Sequence, residues 1–191
     1  MMDGPLRADL ARAYQHADGG RARRIAVCLR TPGVHAVIAY RFGRWLRSAP
    51  APLRVLLEPC YLVLDLAVHA LWGIEISRRA HIDPGLYIAH AGGIVVAPDV
   101  VIGADCNLSH EVTIGVSGRG SKRGVPTIGN GVYIAPGAKL FGRIRVGDRA
   151  KIGANCVIHR DVPDDAVVAV SPFQIISFEG NGRGIVRQRA S

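Results

Sequence analysis

From residue 76 onward, aliphatic side chains recur at every sixth position of the chain. A small or apolar residue also stands two positions before each of them. Amphipathic helices repeat their apolar positions about every 3.6 residues, and strands of a flat sheet repeat them at every second residue, so this period fits neither element. Thirteen positions, in three registers, follow the pattern: Ile76, Ile82, Ile88, Val96, Ile102, Leu108, Ile114, Ile128, Ile134, Leu140, Val146, Ile152 and Ile158.

The six-residue period predicts a mainly β fold in which the chain winds into a three-sided coil of short parallel strands. Each hexapeptide supplies one strand and one corner, with the aliphatic residue pointing inward, so thirteen hexapeptides give a little over four turns. Successive turns would stack at the strand-pairing distance of about 4.8 Å, and no turn buries its apolar side alone. The alternatives are a chance pattern in an α/β protein and a β-sandwich, whose strands would alternate in twos.

The first 72 residues have a different pattern, in which apolar positions recur at helical spacing. Three segments show it: residues 25–29, 35–46 and 53–71. Pro59 lies inside the third segment and is expected to bend or end that helix.

These patterns divide the chain into three regions. We expect an N-terminal helical region at 1–72, a coiled β domain at 73–170 and a C-terminal tail at 171–191.

Charge and cysteine usage narrow the class of protein. The chain has 24 Lys and Arg residues against 15 Asp and Glu, a net charge of +9 that suits an anionic ligand or a membrane surface. No nucleic-acid partner is expected, because the basic residues are spread along the chain without an aromatic platform. The four cysteines are widely separated, which indicates reduced thiols and a cytoplasmic protein.

We expect neither a signal peptide nor a transmembrane helix. The N-terminus has acidic residues where a signal peptide needs an apolar run. The most apolar stretch, residues 53–76, contains Arg54, Glu58, Asp65 and His69. Contact with a membrane surface remains compatible with the sequence but is not required by it.

Two interruptions of the six-residue period locate the candidate working surface. The first inserts two residues within 90–93, and the second inserts eight within 115–127. The longer loop contains four glycines, two arginines and Lys122, a composition suited to a ligand with phosphate groups. A solvated basic loop is the alternative.

His90 and His110 are predicted to be neighbours on the exterior of the coil. Their separation of 20 residues equals one 18-residue turn plus the two-residue insertion. A histidine beside an insertion and a glycine pair is a candidate proton acceptor, although a structural role is the alternative. His110 either supports His90 as a second-layer residue or merely stacks on it.

Four segments of this chain resemble the serine O-acetyltransferases of the hexapeptide-repeat superfamily. They are GIEISRRAHIDPGLYIAHAGGIVV, VTIGVSGRGSKRGVPTIG, VYIAPGAKLFG and RAKIGANCVIHRDVP, within a likeness that extends from about residue 18 to residue 170. The resemblance implies a left-handed parallel β-helix, assembly as a homotrimer or a dimer of trimers, and acetyl-CoA bound in the groove between adjacent copies.

The same resemblance implies roles for individual residues. His90 matches the catalytic histidine of the family, and Glu75, fifteen residues earlier, matches the acid that pairs with it. A neutral imidazole would take the proton of the acceptor hydroxyl as its oxygen attacks the thioester carbonyl. Asp18 matches the residue that binds the amino group of serine. The matches for binding acetyl-CoA are Gly115, Gly118, Lys151 and Ala154.

Some hexapeptide-repeat proteins bind zinc through histidines, and His81, His90 and His110 are the candidate ligands for such a site in this chain. The spacing does not resemble that of the zinc-binding carbonic anhydrases, so no metal is expected.

The predicted acceptor pocket departs from the family pattern. The second aspartate that binds serine is Ala89 here, and the Arg-His pair that binds the serine carboxylate is replaced by Gly124 and Val125. Three acceptors or roles therefore remain open. The chain acetylates serine, or a sugar hydroxyl in surface polysaccharide synthesis, or it is a non-catalytic scaffold held at a membrane surface.

Overall fold

The computed structural model describes residues 3–120 and 123–170. The predicted tail at 171–191 and Lys122 lie outside the described residues. Four helices come first: α1 Asp3–His16, α2 Arg21–Arg30, α3 Pro32–Ser48 and α4 Ala51–Trp72.

The helical lobe is centred on the packing of α3 against α4. Gly43 of α3 lies so close to the ring of Tyr61 on α4 that a Cβ atom at this glycine would be 2.2 Å from the ring. Helix α4 continues through Pro59, so this proline does not end the third helical segment, and the expected bend stays a prediction.

Helix α1 was not predicted, and it brings a buried ion pair. The Arg41 guanidinium donates from Nε to Asp9 Oδ2 at 2.7 Å and from Nη2 to Asp9 Oδ1 at 3.1 Å. Asp9 also accepts the backbone N–H groups of Gly85 and Leu86 in the β domain. The pair therefore joins α1, α3 and the first turn of the coil.

The rest of the described chain is a parallel β-solenoid with an apolar interior. Its fourteen strands form three parallel sheets, in the orders β1-β4-β7-β10-β13, β11-β8-β5-β2 and β14-β12-β9-β6-β3, called sheets A, B and C. All thirteen aliphatic positions of the six-residue repeat are buried. The strands are β1 Ile74–Ile76, β2 His81–Ile82, β3 Tyr87–Ile88, β4 Ile94–Val96, β5 Val101–Ile102, β6 Asn107–Leu108, β7 Thr113–Gly115, β8 Thr127–Ile128, β9 Tyr133–Ile134, β10 Lys139–Phe141, β11 Arg145–Val146, β12 Lys151–Ile152, β13 Val157–Ile158 and β14 Val167–Val168.

The solenoid has about five turns, which corrects the sequence prediction of a little over four. Val162 bridges to Val146, and β14 pairs with β12, so two further positions continue the winding beyond Ile158. The repeat is shortened there, because Val162 follows Ile158 by four residues instead of six.

Gly73 connects the helical lobe to the solenoid. It ends α4 in the left-handed conformation (φ 60°), which glycine adopts without steric cost, and β1 begins at the next residue. The backbone N–H of Gly73 donates to His69 O at 2.9 Å.

By length and apolar composition alone, α4 is long enough to cross a membrane. In the described part of the chain it is the one helix that meets both criteria. The same composition also occurs in helices that do not span membranes.

Candidate active site

His90 lies on a short loop between β3 and β4 that is held by backbone hydrogen bonds on two sides. Gly92 N donates to Trp72 O at 2.9 Å, and Gly92 O accepts Glu111 N at 2.7 Å. Gly92 and Gly93 both have positive φ, at 106° and 62°, a conformation that favours glycine. The two-residue insertion therefore forms a fixed projection, and the His90 side chain on it is exposed to solvent.

The structure places His110 beside His90, as the arithmetic of the repeat predicted. The two rings lie edge to face with centroids 5.9 Å apart. The Nδ1 atom of His110 is buried, and it has no hydrogen-bond partner within residues 3–120 and 123–170. The ring of His110, one turn further along the solenoid, therefore packs against the exposed imidazole of His90.

Glu75 lies on the outward side of sheet A, in register with Val95. In the described part of the chain no hydrogen bond or ion pair joins it to His90, so the pairing that the resemblance implies is not formed in this structure. Glu111 was not predicted and lies beside the histidine loop, because a Cβ atom at Gly93 would be 3.2 Å from its Cγ. Glu111 is held there by a left-handed backbone (φ 58°), which a sequence does not reveal.

Lys139 is a second residue placed close to this corner. Its Nζ donates to the backbone oxygen of Glu111 and, at 3.2 Å, to Thr113 Oγ1. The ammonium group is thus held one turn below the histidine loop. The signal in the sequence was its place in the outward row of sheet A, in register with Thr113.

The long loop is closed at its neck. Ser117 and Gly124 form an antiparallel bridge, with N–H to O distances of 3.1 and 3.0 Å. Gly118, within the loop, has φ 92°, whereas Gly115 lies against the ring of Phe141, which a Cβ atom would approach to 3.1 Å. Gly115 therefore packs closely on Phe141, and a side chain at this position would require the ring to move.

Arg143 lies close to Gly124, the position at which the family pattern has an arginine. A Cβ atom at Gly124 would lie 2.8 Å from Arg143 Cβ and 3.2 Å from its Nε. The space beside the loop neck is therefore filled by the side chain of Arg143, which lies between β10 and β11. A cation stands near this position although the chain has glycine there.

The remaining predicted site residues lie on other parts of the surface. Asp18 is exposed in the loop after α1, and His16 two residues earlier stacks on Tyr87 with ring centroids 4.0 Å apart. Because Tyr87 begins the strand that leads to His90, this stack brings the α1–α2 loop to the same end of sheet C. Lys151 lies on the outward side of sheet C, and Ala154 is exposed at the corner that follows it.

A single copy of the chain therefore does not bring all predicted residues into one pocket. His90, His110 and Ala154 share the corner between sheets C and A, where the strands of sheet A begin. Gly115 and Gly118 lie at the other side of sheet A, where its strand β7 ends. Two arginines of the solenoid form ion pairs with aspartates: Arg149 with Asp165 at 2.6 Å and Arg145 with Asp164 at 3.7 Å. Among the described residues, no group of three or more His, Cys, Asp or Glu side chains is placed to hold a metal ion.

Comparison with known proteins gives consistent matches. Residues 126–160 match the family described as bacterial transferase hexapeptide (six repeats). The chain is 35% identical over 173 residues to the serine acetyltransferase of Mycobacterium tuberculosis, covering 90% of this chain and 72% of the relative. It is also 35% identical to the serine acetyltransferase of Helicobacter pylori over 154 residues, covering 79% of this chain and 85% of the relative.

A solved structure shows the same architecture. The serine acetyltransferase of Neisseria gonorrhoeae, determined in complex with serine, superposes with a TM-score of 0.71 at 30% identity. The alignment covers 90% of this chain and 67% of the Neisseria chain. The chain thus spans about two thirds of that relative.

Proposed function

The chain belongs to the serine acetyltransferase family and is an acyltransferase, and from this membership we propose that it transfers the acetyl group of acetyl-CoA to the hydroxyl of a small acceptor, serine being the first candidate. The family membership implies an acyl-CoA co-substrate. The observation that carries the proposal is the exposed imidazole of His90, held on a glycine loop that hydrogen bonds fix to the end of α4.

The proposed chemistry is a direct transfer with His90 as general base. Its neutral imidazole takes the proton of the acceptor hydroxyl as the oxygen attacks the thioester carbonyl. The tetrahedral intermediate then expels the CoA thiolate, which receives the proton back from the imidazolium. Backbone N–H groups are the expected partners of the intermediate's oxyanion. No covalent bond to the enzyme forms at any step.

Two carboxylates are candidates for orienting the imidazole. Glu75 is the residue that the family resemblance supports, and Glu111 is the residue that geometry places beside the histidine loop. His110 supports the ring from the next turn of the solenoid. Either carboxylate would stabilise the imidazolium formed during transfer.

We propose that the complete site forms between copies of this chain in a trimer. The histidine corner and the long loop lie at opposite edges of sheet A, so one copy offers its histidine while a neighbour offers its loop. Outward apolar side chains on the solenoid support such contacts: Val101, Val116, Tyr133 and Val157 are exposed. Obligate interfaces bury side chains of this kind.

A sugar hydroxyl is the second candidate acceptor. The observation that favours it is the replacement of charged anchors by Ala89, Gly124 and Val125. Loss of a hydrogen bond to a charged group costs about 1.5–3 kcal/mol, so serine would bind weakly unless Arg143 supplies the missing cation. This acceptor would fit an enzyme of surface polysaccharide synthesis.

The experiment is a thiol-release assay with acetyl-CoA and a panel of L-serine, homoserine and sugar nucleotides. His90→Ala is expected to lower turnover by about 10²–10⁴-fold, because general acid–base catalysis contributes that much. His159→Ala is the matched control, since His159 is exposed at the far end of the solenoid.

The outcomes separate the candidates. Near-normal turnover by a folded His90→Ala variant would remove this histidine from the mechanism. A Michaelis constant for serine in the common range, below about 1 mM, would favour serine over the sugar hydroxyl. If no acceptor in the panel gave thiol release, the scaffold role would be favoured instead.

A further inference from the structure

Helix α4 presents an apolar face to solvent along most of its length. We use the name apolar face of α4 for five aliphatic side chains that are 55–73% exposed: Val55, Leu56, Leu62, Val63 and Leu66. Their spacing along the helix places them on one side. A surface helix of a soluble domain normally turns such a stripe toward the core, so this face requires a partner.

The opposite side of α4 is already occupied by protein. Tyr61 and Val68 are buried, and Tyr61 donates a hydrogen bond to Asp65 Oδ1 at 3.2 Å. Burial, and secondarily the Asp65 carboxylate, raises the pKa of Tyr61 to about 12. The helix is therefore fixed on the lobe, and its apolar face cannot rotate inward.

Arginines border this face at one edge. Arg47, Arg54 and Arg78 line a concave surface together with Val55 and Leu62. The acidic residue in the same surface is Glu58, which already pairs with Arg78 at 2.7 Å. The positive charges of Arg47 and Arg54 therefore remain available to an anionic partner.

We propose that the apolar face of α4 docks on an anionic phospholipid bilayer, lying in the headgroup layer with Arg47 and Arg54 against lipid phosphates. An apolar helix face beside basic side chains is the combination that binds bilayer interfaces. The charge complementarity favours lipid over a second protein.

The helix lies on the bilayer and does not span it. A spanning helix needs lipid or other spanning segments around its whole circumference. Here α3 packs along one side of α4, and α3 carries Arg41 in its buried ion pair with Asp9. The next residue after α4 already belongs to the solenoid connection.

The test uses the full chain and co-sedimentation with phosphatidylcholine vesicles, with and without phosphatidylglycerol. We expect binding to the vesicles that contain phosphatidylglycerol. Replacing both Arg47 and Arg54 by glutamine is expected to weaken it about 30-fold, since each basic residue near the surface contributes about 1 kcal/mol.

A matched pair of valines tests the apolar face itself. Val63→Glu is expected to reduce vesicle binding at least about tenfold, because a buried valine contributes about 1.5–3 kcal/mol. Val167→Glu, at an equally exposed valine on the last strand of the solenoid, is expected to leave vesicle binding unchanged. Both side chains are in water in the free protein, and circular dichroism checks that each variant is folded.

Labelling of Cys60, an exposed cysteine on the same helix, provides a second measurement on the unmodified protein. Vesicles with phosphatidylglycerol are expected to slow its reaction with a water-soluble thiol reagent, and an unchanged rate would overturn the proposal. Equal loss of vesicle binding in both valine variants would also overturn it. So would resistance to alkaline extraction, which would indicate a spanning helix. If sedimentation equilibrium shows that Val63→Glu lowers the oligomer mass, and neither protein binds vesicles, the partner is a second copy and the proposal fails.

Discussion

Arg143 takes the space that a side chain at position 124 would need. A guanidinium is always charged and forms paired hydrogen bonds with a carboxylate. The family pattern has its carboxylate-binding arginine at position 124, and here a cation reaches that neighbourhood from residue 143. The chemistry of amino-acid binding is thus compatible with this chain by a different route.

Arg143→Gln tests this route. If the guanidinium binds the acceptor carboxylate, the Michaelis constant for serine should rise about 10–100-fold, which corresponds to about 1.5–3 kcal/mol. The constants for sugar nucleotides should change little. Arg145→Gln is the control, because Arg145 is exposed and faces Asp164. An equal rise for every acceptor would show that Arg143 acts on the cofactor or on the fold.

At the level of single residues, the sequence predicted some neighbours and missed others. The contact of His90 with His110 followed from counting one turn plus two inserted residues. The closeness of Glu111 did not follow, because it depends on left-handed backbone at Glu111 and Gly93. The predicted role of Glu75 as the partner of His90 stays a prediction, because the structure does not join the two side chains.

Among the secondary-structure elements, the repeat was easier to predict than the helices. Inward positions of the solenoid are set by a period that sequence shows directly. Helix α1 has a buried aspartate, and a buried charge is stable only with its partner. Asp9 finds that partner in Arg41, which is 32 residues away, so the helix could not be recognised from its own residues.

Gly43→Ala tests the packing of α3 on α4. An alanine usually stabilises a helix relative to glycine, by about 0.5–1 kcal/mol. At Gly43 the added Cβ would lie 2.2 Å from the Tyr61 ring, so the variant should instead lose about 1–3 kcal/mol of unfolding free energy through overpacking. Gly4→Ala on α1 is the control, because a Cβ atom added there would meet nothing within 4 Å. Chemical denaturation measures the unfolding free energy of both variants. A stabilised Gly43→Ala variant would contradict the close contact.

In the molecule as a whole, the solenoid is a linear stack whose end turns have one neighbour each. The sequence prediction stopped at Ile158 because the next inward residue, Val162, comes four residues later instead of six. Asp161 explains how this shorter turn is stabilised, since its carboxylate accepts Arg145 N at 2.8 Å. Side-chain bonds to the backbone replace a regular hexapeptide there.

The pair of Arg149 and Asp165 ties the last turn to the one before it. A side-chain hydrogen bond from Arg149 lowers the pKa of Asp165. Its contribution to stability is therefore present above the unfolded value near 3.8 and is lost as the pH falls through the lower folded value. Asp165→Asn should be less stable than wild type at neutral pH and equally stable at strongly acidic pH.

Asparagine is suited to this test because position 165 has φ 58°, a conformation that asparagine tolerates. Thermal unfolding of both proteins across pH measures the difference. A constant difference at every pH would assign the effect to shape and not to charge.

Gly73 is the only residue between α4 and β1, and the histidine loop is hydrogen-bonded to this junction. Gly92 N donates to Trp72 O, and Ile94 N donates to Gly73 O. No flexible linker separates α4 from β1. A tilt of α4 would therefore displace the imidazole of His90, so a contact that orients this helix would also orient the proposed proton acceptor.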